Sequence, residues 1–337
     1  MTLSMSHLKS AIDNTLWLAD PVGLRRAILR VASFRDCPTA RHVVKARRAE
    51  LAEARAIAQH ALPSTGIDDP AERQAATGKP LRAVKGKVGV IPIFGPIGQR
   101  MSAELEKSGG VSMEAIGAAF DTLLNDASIG AIVLHFDSPG GESYGCEELS
   151  DQIHNARGRK PIIAHANSLM ASAAYWIGTA ADTVVVTPGG DVGSVGVFAA
   201  HVDESKAMEQ EGIVVTMVKA GKHKAEWTHV APLSAEARDY LQQRVDETYG
   251  KFVEGLRRNR GVAASVVRER FGQGRVVGAE AAVAAGMADR VATFAELIGK
   301  LTGAHAAGNG GAKAVSTEVL KLRHEQRKRQ AAHGWAG

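Results

Sequence analysis

The sequence predicts an α/β protein whose mostly parallel sheet is covered by helices on both faces. Several short runs, such as residues 131–136 and 162–166, are apolar throughout instead of alternating between apolar and polar positions, as expected for strands buried on both faces. These runs alternate with helical segments, among them residues 113–127 and 146–156, which is the order of β-α units. With 337 residues and 45% hydrophobic content, the chain is large enough for a sizeable core.

The other elements of the predicted core follow from apolar runs, caps and turn residues. Ser234 is a good N-cap for a long helix that ends before Gly261. The further strands are predicted at residues 88–94, 183–186 and 213–218, and two further helices at residues 262–271 and 279–285.

Composition divides the chain into four parts. Residues 1–63 show a mostly helical pattern from residue 17 onward, so we predict a helical N-terminal extension there. Residues 64–86 contain several prolines and glycines and are predicted to be a linker. The α/β domain covers residues 87–302, and residues 303–337 form a Gly/Ala spacer followed by a flexible basic tail.

Several classes of function are not indicated by composition. The two cysteines, Cys37 and Cys146, have no metal-ligand spacing, so neither a disulfide framework, a metal site nor a cofactor is predicted. The N-terminus lacks the features of a secretion signal, and no stretch of about eighteen apolar residues occurs, so no membrane association is expected. The net charge of +5 is mild and not concentrated in one stripe, so nucleic-acid binding is not indicated.

A glycine turn follows the strand predicted at residues 131–136. Residues 137–141 read Asp-Ser-Pro-Gly-Gly and precede a helix, so their backbone amides can point into a crevice. Amides placed in this way stabilise the oxyanion of a tetrahedral intermediate. Taken alone, the turn is better explained as an ordinary strand-to-helix connection, because such glycine pairs are common.

Ser172 and Lys224 are the candidate nucleophile and base. Small residues surround Ser172 at a second strand-to-helix turn, and the amide of Ala173 is a natural oxyanion donor. The plain structural alternative is a small residue in a buried, alanine-rich helix. A lysine accepts a serine proton only when burial or a positive neighbour keeps it neutral, so the pair requires a desolvated Lys224.

A third glycine-rich segment covers residues 188–197. It lacks the lysine and the glycine order of a nucleotide-binding loop. The part that reads Gly193-Ser194-Val195-Gly196 lacks the full frame of a nucleophile elbow. Ser194 is therefore interpreted as a supporting residue and not as the nucleophile.

Taken in order, these segments resemble the signal peptide peptidase A family of serine peptidases. The resemblance runs from about residue 88 to residue 301 and rests on four ordered motifs, at residues 137–141, 171–173, 193–197 and 220–224. It implies a crotonase/Clp-protease-like fold of repeated β-α turns in residues 87–302. It also implies peptide-bond hydrolysis through an acyl-enzyme, by a Ser/Lys dyad.

The resemblance assigns a role to each candidate residue. Ser172 matches the nucleophile and Lys224 the general base, while Gly140 and Ala173 fall at the oxyanion positions. Ser194 matches a hydroxyl that orients the lysine, and Gly141 is a further supporting residue. Family members form homo-oligomeric rings with the active site near subunit interfaces, so a monomer of this chain is expected to be incomplete.

Two segments, residues 17–24 before the α/β domain and residues 200–207 within it, are similar to those of the phage and prophage capsid-assembly branch of the family. This similarity implies head maturation by cleavage of scaffold, portal or capsid proteins, in the bacterial host cytoplasm or inside an immature capsid. The alternatives are a cytoplasmic peptidase that degrades peptides and a capsid-assembly factor without catalytic activity.

Other catalytic assignments are also open from the residues alone. A Ser/His/Asp triad would need His201 with Asp203 or Asp137, and an acyl-thioester enzyme on a related fold would need an acid such as Glu142. Lys219 and Lys222 are interpreted as solvated surface residues. The strand residues His135 and His165 are interpreted as core residues with satisfied hydrogen bonds.

Overall fold

The computed structural model describes residues 81–101 and 110–304, together with the backbone of residues 17–19. The predicted basic tail, and most of the predicted N-terminal extension and linker, lie outside these residues. At residues 17–19 the prediction of a helical pattern is wrong, because Trp17–Ala19 is a strand that pairs with Gly140–Glu142. Pairing with a sheet edge overrides the local helix preference there.

The strands, numbered in chain order, are β1 (Trp17–Ala19), β2 (Lys87–Phe94), β3 (Ile97–Gly98), β4 (Val111–Ser112), β5 (Ile129–Ser138), β6 (Gly140–Glu142), β7 (Ile162–Ala171), β8 (Thr183–Val186), β9 (Asp191–Gly193), β10 (Val276–Gly278) and β11 (Arg290–Val291).

The α-helices are α1 (Met113–Asn125), α2 (Cys146–Asn155), α3 (Ala173–Thr179), α4 (Ser205–Gln210), α5 (Ala235–Arg260), α6 (Ala264–Arg270), α7 (Ala279–Ala284) and α8 (Phe294–Thr302). A short 3-10 helix, Gly272–Gly274, follows α6.

The main sheet has the strand order β10-β9-β7-β5-β2. Strand β8 pairs with residues 163–166 of β7, and β9 pairs with residues 169–171 of the same strand. All of these pairs are parallel except β9 with β10. The predicted α/β class with a mostly parallel sheet is confirmed, and the order β2-α1-β5-α2-β7-α3-β8 confirms the predicted repeated β-α turns.

Both faces of the sheet are buried, which explains the continuous apolar runs. Along β5, Ile132 and Leu134 face the core formed with helices α1, α2, α3 and α5. Ala131 and Val133 face a second cluster, to which α8 contributes Leu297 and Leu301. Because successive strand residues point to opposite faces, every position of such a strand must be apolar.

The predicted cap residues mark both ends of helix α5. The Ser234 side chain accepts a hydrogen bond from Ala237 N (3.1 Å), and α5 ends at Gly261, whose φ is 66°. Strand β8 has the predicted bounds. Among the described residues, no helix is both long and apolar enough to cross a lipid bilayer.

The strand predicted at residues 213–218 is absent. These residues have no regular secondary structure and are exposed, with 89% exposure at Val214 and 96% at Val218. Apolar, β-branched residues favour a strand only when a neighbouring strand supplies hydrogen bonds and buries the side chains, and no described segment of the chain does so.

The division of the chain into an extension, a linker, a domain and a tail stays a prediction. The first strand of the main sheet begins at Lys87, and the last described helix ends at Thr302.

Candidate active site

Ser172 lies where strand β7 ends and helix α3 begins, as the N-cap residue of α3. Its backbone has φ 54° and ψ −118°, and such a conformation costs an L-residue roughly 1–3 kcal/mol unless its surroundings impose it. The residue is fully buried, and its Oγ has no hydrogen-bond partner among the described residues. A strained, unpaired and buried hydroxyl is a candidate reactive group.

Hydrogen bonds on both sides hold Ser172 in this conformation. Its amide donates to Gly193 O (2.7 Å), and its carbonyl accepts from Trp176 N (2.9 Å) in the first turn of α3. Gly178 lets α3 lie close to β7, because a Cβ there would be 2.3 Å from Met170 Sδ. The tight helix-strand contact therefore imposes the backbone geometry of the serine.

Aromatic side chains fix α3 in the core. Trp176 stacks on Phe252 of α5 with ring centroids 4.9 Å apart. Gly255 allows this contact, because a Cβ there would be 2.3 Å from the indole nitrogen. The hydroxyl of Tyr175 donates to Met287 O (2.8 Å), so both large side chains after Ser172 are held by the C-terminal half of the domain.

Arg157 caps the opposite end of α3. Its Nε donates to Ala180 O (2.8 Å), and its Nη2 donates to Thr179 O (2.8 Å), Ala181 O (2.8 Å) and Asn259 O (3.0 Å). These bonds satisfy carbonyls that a helix end leaves without partners. Burial lowers the pKa of Arg157. The sequence shows no local signal for this role, since all its acceptors are backbone oxygens distant in sequence.

Ser194 occupies an equivalent place after the neighbouring strand β9. Ala171 of β7 and Gly193 of β9 are paired, so the serines follow paired residues. Ser194 is buried, also has a φ of 54°, and donates its amide to Arg275 O (2.8 Å). The structure therefore brings Ser172 and Ser194 to the same end of the sheet.

The glycine turn lies between β5 and β6. Gly140 has a φ of 97°, which favours glycine, and its amide donates to Ser138 Oγ (3.2 Å), which in turn donates to Gly95 O (2.7 Å). Gly141 must be glycine because a Cβ there would be 1.8 Å from Ile97 O. The Gly140 amide is thus engaged with a side chain in this structure, and its oxyanion role stays a prediction.

Ala173 is the first residue of α3. The amides of the first helical turn have no acceptor within the helix, and they point along its axis beyond the N-terminus. The amide of Ala173 follows directly after Ser172 and has the orientation typical of an oxyanion donor. This geometry agrees with the predicted role without testing it.

Lys224 is exposed in the single chain. It follows the exposed segment 213–218, and Ser172 Oγ has no partner among the described residues, Lys224 included. The structure therefore does not bring the predicted nucleophile and base together, and a single chain does not provide the burial that a neutral lysine needs.

The two neighbouring lysines are surface residues, as predicted. Both side chains are exposed; Lys219 Nζ lies 3.4 Å from Lys222 O, and Lys222 pairs with Glu236 at 2.5 Å. Neither contacts Ser172 Oγ.

The alternative acids and bases have other partners. His201 Nε2 lies 3.2 Å from Ala231 O, and Asp203 accepts the Ser205 amide (2.9 Å) at the start of α4. Asp137 accepts from Ser168 Oγ (2.5 Å), and Glu142 accepts the Gln99 amide (3.0 Å). None of these groups hydrogen-bonds to Ser172 Oγ, so the structure offers no support for the triad.

One cluster of possible metal-ligating groups occurs on the described surface. Atoms of His223, Glu226 and Glu236 lie within 4.8 Å of one another. His223 pairs with Glu226, and Glu236 is already paired with Lys222. Because these groups already pair with one another and with Lys222, the cluster does not by itself indicate a metal site.

A cavity of about 310 Å³ lies next to the segment that follows Ser194 in the chain. It is lined by residues 195–197 and by the α5 residues Val245, Asp246 and Tyr249. Sequence reasoning missed the cavity because its two walls are distant in the chain.

Residues 154–307 match the family model described as Peptidase family S49. Ser172, Ser194 and Lys224 lie inside the matched stretch, and the glycine turn precedes it. The match confirms the predicted peptidase resemblance.

Two of the relatives that the chain matches are phage proteins. The chain is 30% identical over 243 residues to the capsid assembly protease C of Escherichia phage lambda, covering 72% of this chain and 54% of the relative. It is 29% identical over 217 residues to the head-tail preconnector protein GP5 of Enterobacteria phage P21, covering 64% of this chain and 43% of that protein. The chain thus spans about half the length of these relatives.

A solved structure of a mutant of the 1510-N membrane-bound stomatin-specific protease matches with a TM-score of 0.41 and 16% identity. The match covers 64% of this chain and 84% of that one.

Proposed function

We propose that this chain, which carries a Peptidase family S49 domain at residues 154–307, is a serine endopeptidase with Ser172 as its nucleophile. One observation carries the proposal: Ser172 Oγ is buried and unpaired at a strained helix start. Unpaired buried hydroxyls are rare in folded proteins because they cost about 1–3 kcal/mol. A reaction that uses the hydroxyl explains why this one is retained.

The proposed reaction passes through an acyl-enzyme. Neutral Lys224 takes the Ser172 proton as Oγ attacks the peptide carbonyl, and the amide of Ala173 donates to the oxyanion. Gly140 becomes the second donor once its amide leaves Ser138 Oγ. Lys224 then returns the proton to the leaving amine, and water releases the acyl group by the same steps. Ser194, at the end of the neighbouring strand, orients the lysine.

A second copy of the chain completes this site in our proposal. The exposed apolar segment 213–218 has the strand-forming composition of an interface edge and leads directly to Lys224. Exposed apolar patches of this kind mark protein-protein contacts. Burial of the segment against a neighbouring subunit would desolvate Lys224 and bring it to a serine site, in a homo-oligomeric ring closed by repeated head-to-tail contacts.

The proposed substrates are phage or prophage head proteins, namely scaffold, portal or capsid proteins. This assignment is supported by the names of the two phage relatives and by the similarity of segments 17–24 and 200–207 to the phage branch of the family. The proposed place of action is the bacterial host cytoplasm or the interior of an immature capsid. Residues 87–302 would form the peptidase domain, between an N-terminal extension with its linker and a basic tail.

Active-site labelling tests the nucleophile. The full chain is treated with a fluorophosphonate, which modifies activated serines, and cleavage of unfolded β-casein is followed in parallel. We expect one adduct on Ser172 by intact mass and peptide mapping, and no adduct in Ser172→Ala. An adduct on a different serine, with cleavage retained by Ser172→Ala, would overturn the assignment.

The base is tested with a matched pair of lysine variants. Lys224→Ala is expected to lower kcat by about 10²–10⁴-fold, the usual contribution of a general base. Lys219→Ala, an equally exposed lysine close in sequence, should keep the wild-type rate. Equal losses in both variants would indicate a general effect of charge.

Mixing the two inactive variants tests whether the site is shared between subunits. Lys224→Ala supplies intact Ser172, and Ser172→Ala supplies intact Lys224. If neighbouring subunits share the site, a statistically mixed ring regains about a quarter of wild-type activity at its heterologous interfaces. A site within one subunit would regain none, since every chain in the mixture lacks one member of the pair.

A further inference from the structure

A short strand from the N-terminal part of the chain lies along the glycine turn. Strand β1 pairs with β6 in antiparallel orientation, with the register Trp17 to Glu142, Leu18 to Gly141 and Ala19 to Gly140. These pairs join residues more than a hundred positions apart in sequence, so they reflect tertiary structure and not a local hairpin.

Strand β1 occupies one of two edges of β6. The other edge is already taken by β3, through the parallel pair of Ile97 with Gly141. With β1 in place, both edges of β6 are therefore paired within the described part of the chain. On the edge opposite β3, an added strand would have to displace β1.

An extended peptide is the kind of ligand that fits this edge of β6. Proteins commonly bind extended peptides by adding them to an exposed sheet edge, where main-chain hydrogen bonds supply the affinity. The edge of β6 begins at Gly140, the proposed oxyanion donor, so a strand added there would bring its backbone to the reacting centre. In this structure the added strand is β1, a segment of the same chain.

The register of β1 brings a peptide backbone to the proposed oxyanion donor. Because the pair is antiparallel, β1 runs from Glu142 toward Gly140 and reaches the proposed oxyanion donor at Ala19. Residues paired across an antiparallel ladder have Cα atoms about 5 Å apart. The backbone at Ala19 thus lies beside the place that the carbonyl of a substrate would need to approach.

The glycine turn has a resting geometry in the same structure. The amide of Gly140 donates to Ser138 Oγ (3.2 Å) instead of pointing into an open crevice. This second observation is independent of β1 and agrees with a closed, inactive arrangement of the site.

We propose that residues 17–19 are a built-in competitor that occupies the peptide-binding edge of β6 until a substrate strand displaces it. The inference rests on the proposed function, since it names the edge at which the peptidase would bind its substrate. Each hydrogen bond of the short ladder contributes about 0.5–1.5 kcal/mol. An extended peptide that pairs over more residues can therefore replace three residues of the chain.

Proline substitutions in the full chain test the pairing. In an antiparallel pair, only alternate residues of a strand donate their backbone N–H to the partner strand. One of the two substitutions, Leu18→Pro or Ala19→Pro, therefore removes a backbone donor of the β1-β6 ladder. Leu18→Ala keeps every backbone donor and is the matched control. Hydrogen exchange of residues 139–143, measured in a Ser172→Ala background, should become faster in at least one proline variant and stay unchanged in the control.

Kinetics test the competition. If the form in which β1 is paired with β6 is populated to about 90%, it raises the apparent KM for the substrate about tenfold. The effective proline variant should therefore cleave β-casein with a KM about tenfold lower and an unchanged kcat. A synthetic peptide of residues 14–22 should restore the higher KM in that variant, whereas a scrambled peptide should not. Increased activity of this kind does not arise from misfolding.

The outcomes separate this inference from the proposed function. If wild type and both proline variants fail alike to react with fluorophosphonate, the proposed function fails, and the competitor role fails with it. If the chains react with fluorophosphonate but the proline variants keep the wild-type KM, the competitor role alone is overturned. Unchanged exchange of residues 139–143 in both proline variants would show that β1 does not hold this edge, which also overturns it.

Discussion

Ser172 and Ser194 follow paired residues of two neighbouring parallel strands, and each has a backbone φ of 54°. The Ser172 amide donates to Gly193 O (2.7 Å), directly before Ser194. One hydrogen bond thus fixes the strained serine and ties it to the segment that carries the second hydroxyl. The two serines are thus held at the same end of the sheet, where the proposed site needs both hydroxyls.

Removal of the Ser172 hydroxyl should stabilise the fold. The Oγ is buried without a described partner, and an unpaired buried polar group costs about 1–3 kcal/mol. We expect Ser172→Ala to raise the free energy of unfolding by about 1 kcal/mol. Ser172→Gly, which also relieves the positive φ, should likewise exceed wild type. Urea denaturation measures both.

Ser150→Ala is the matched control for this prediction. Ser150 is equally buried, but its Oγ accepts from Asn259 Nδ2 (3.1 Å). Loss of that acceptor should destabilise the protein by about 1 kcal/mol. Destabilisation of the same size in Ser172→Ala would show that the Ser172 hydroxyl is paired in solution.

Much of the sheet could be predicted because its signals are local. The run at residues 183–186 is apolar on both faces and forms β8 with the predicted bounds. Ser234 and Gly261 are residues with specific capping preferences, and they enclose α5 as expected. The place of Ser194 beside Ser172 was expected only from the family resemblance, since the strand at Asp191–Gly193 was not predicted.

The errors arose where structure depends on distant partners. Residues 213–218 have the composition of a strand but lack a neighbouring strand among the described residues. Residues 17–19 form a strand because β6 offers an edge, which no local pattern reveals. Lys224 is exposed in the described chain, and its role as the base stays a prediction.

Substitution of Gly141 should disrupt the glycine turn. A Cβ at this position would be 1.8 Å from Ile97 O, a backbone atom that cannot yield without moving β3. We expect Gly141→Ala to lower the free energy of unfolding by about 1–3 kcal/mol, the range for overpacking. Gly189→Ala is the control, because a Cβ there meets no atom within 4 Å. Equal stability of the two variants in urea denaturation would contradict the close approach of β3.

The stacked pair of His135 and His165 should make the fold sensitive to acid. Their Nδ1 atoms are 3.2 Å apart, and His165 Nε2 lies 3.2 Å from Ala292 O, so the predicted core role of both residues is confirmed. Burial, and then the charge of His165, lowers the pKa of His135 to about 3. Burial also lowers the pKa of His165.

The direction of the pH effect follows from proton uptake. Above the unfolded-state pKa of about 6.5, the imidazole is neutral in both states and has no effect. Below that value the unfolded chain binds a proton that the folded chain refuses until about pH 3. Stability should therefore fall with acidification by about 1.4 kcal/mol per pH unit for each such imidazole.

A variant isolates this contribution. His135→Phe places an apolar ring among Phe94 and Phe294, which already contact the imidazole. Urea midpoints measured from about pH 7 to about pH 4 should fall less steeply in His135→Phe than in wild type. Parallel pH profiles would show that His135 is protonated normally in the folded protein.

The ion pair of Arg260 with Asp289 should be essential for the position of α5. The two side chains are about nine-tenths buried and joined by two hydrogen bonds of 2.9 and 2.8 Å, and Asp289 also accepts Val184 N (2.7 Å). Removing one partner leaves a buried charge without compensation, which costs about 3–5 kcal/mol. Asp289→Ala should therefore strongly lower the urea midpoint. Because α5 carries Phe252 against Trp176, the variant should also weaken fluorophosphonate labelling of Ser172.

Glu254→Ala, which breaks the exposed pair of Glu254 with Arg257 on the same helix, is the control and should change neither measurement, since exposed pairs contribute little. If Asp289→Ala matched that control, the buried pair would have no role in holding α5, and the support of Ser172 would rest on the aromatic contacts and on Arg157.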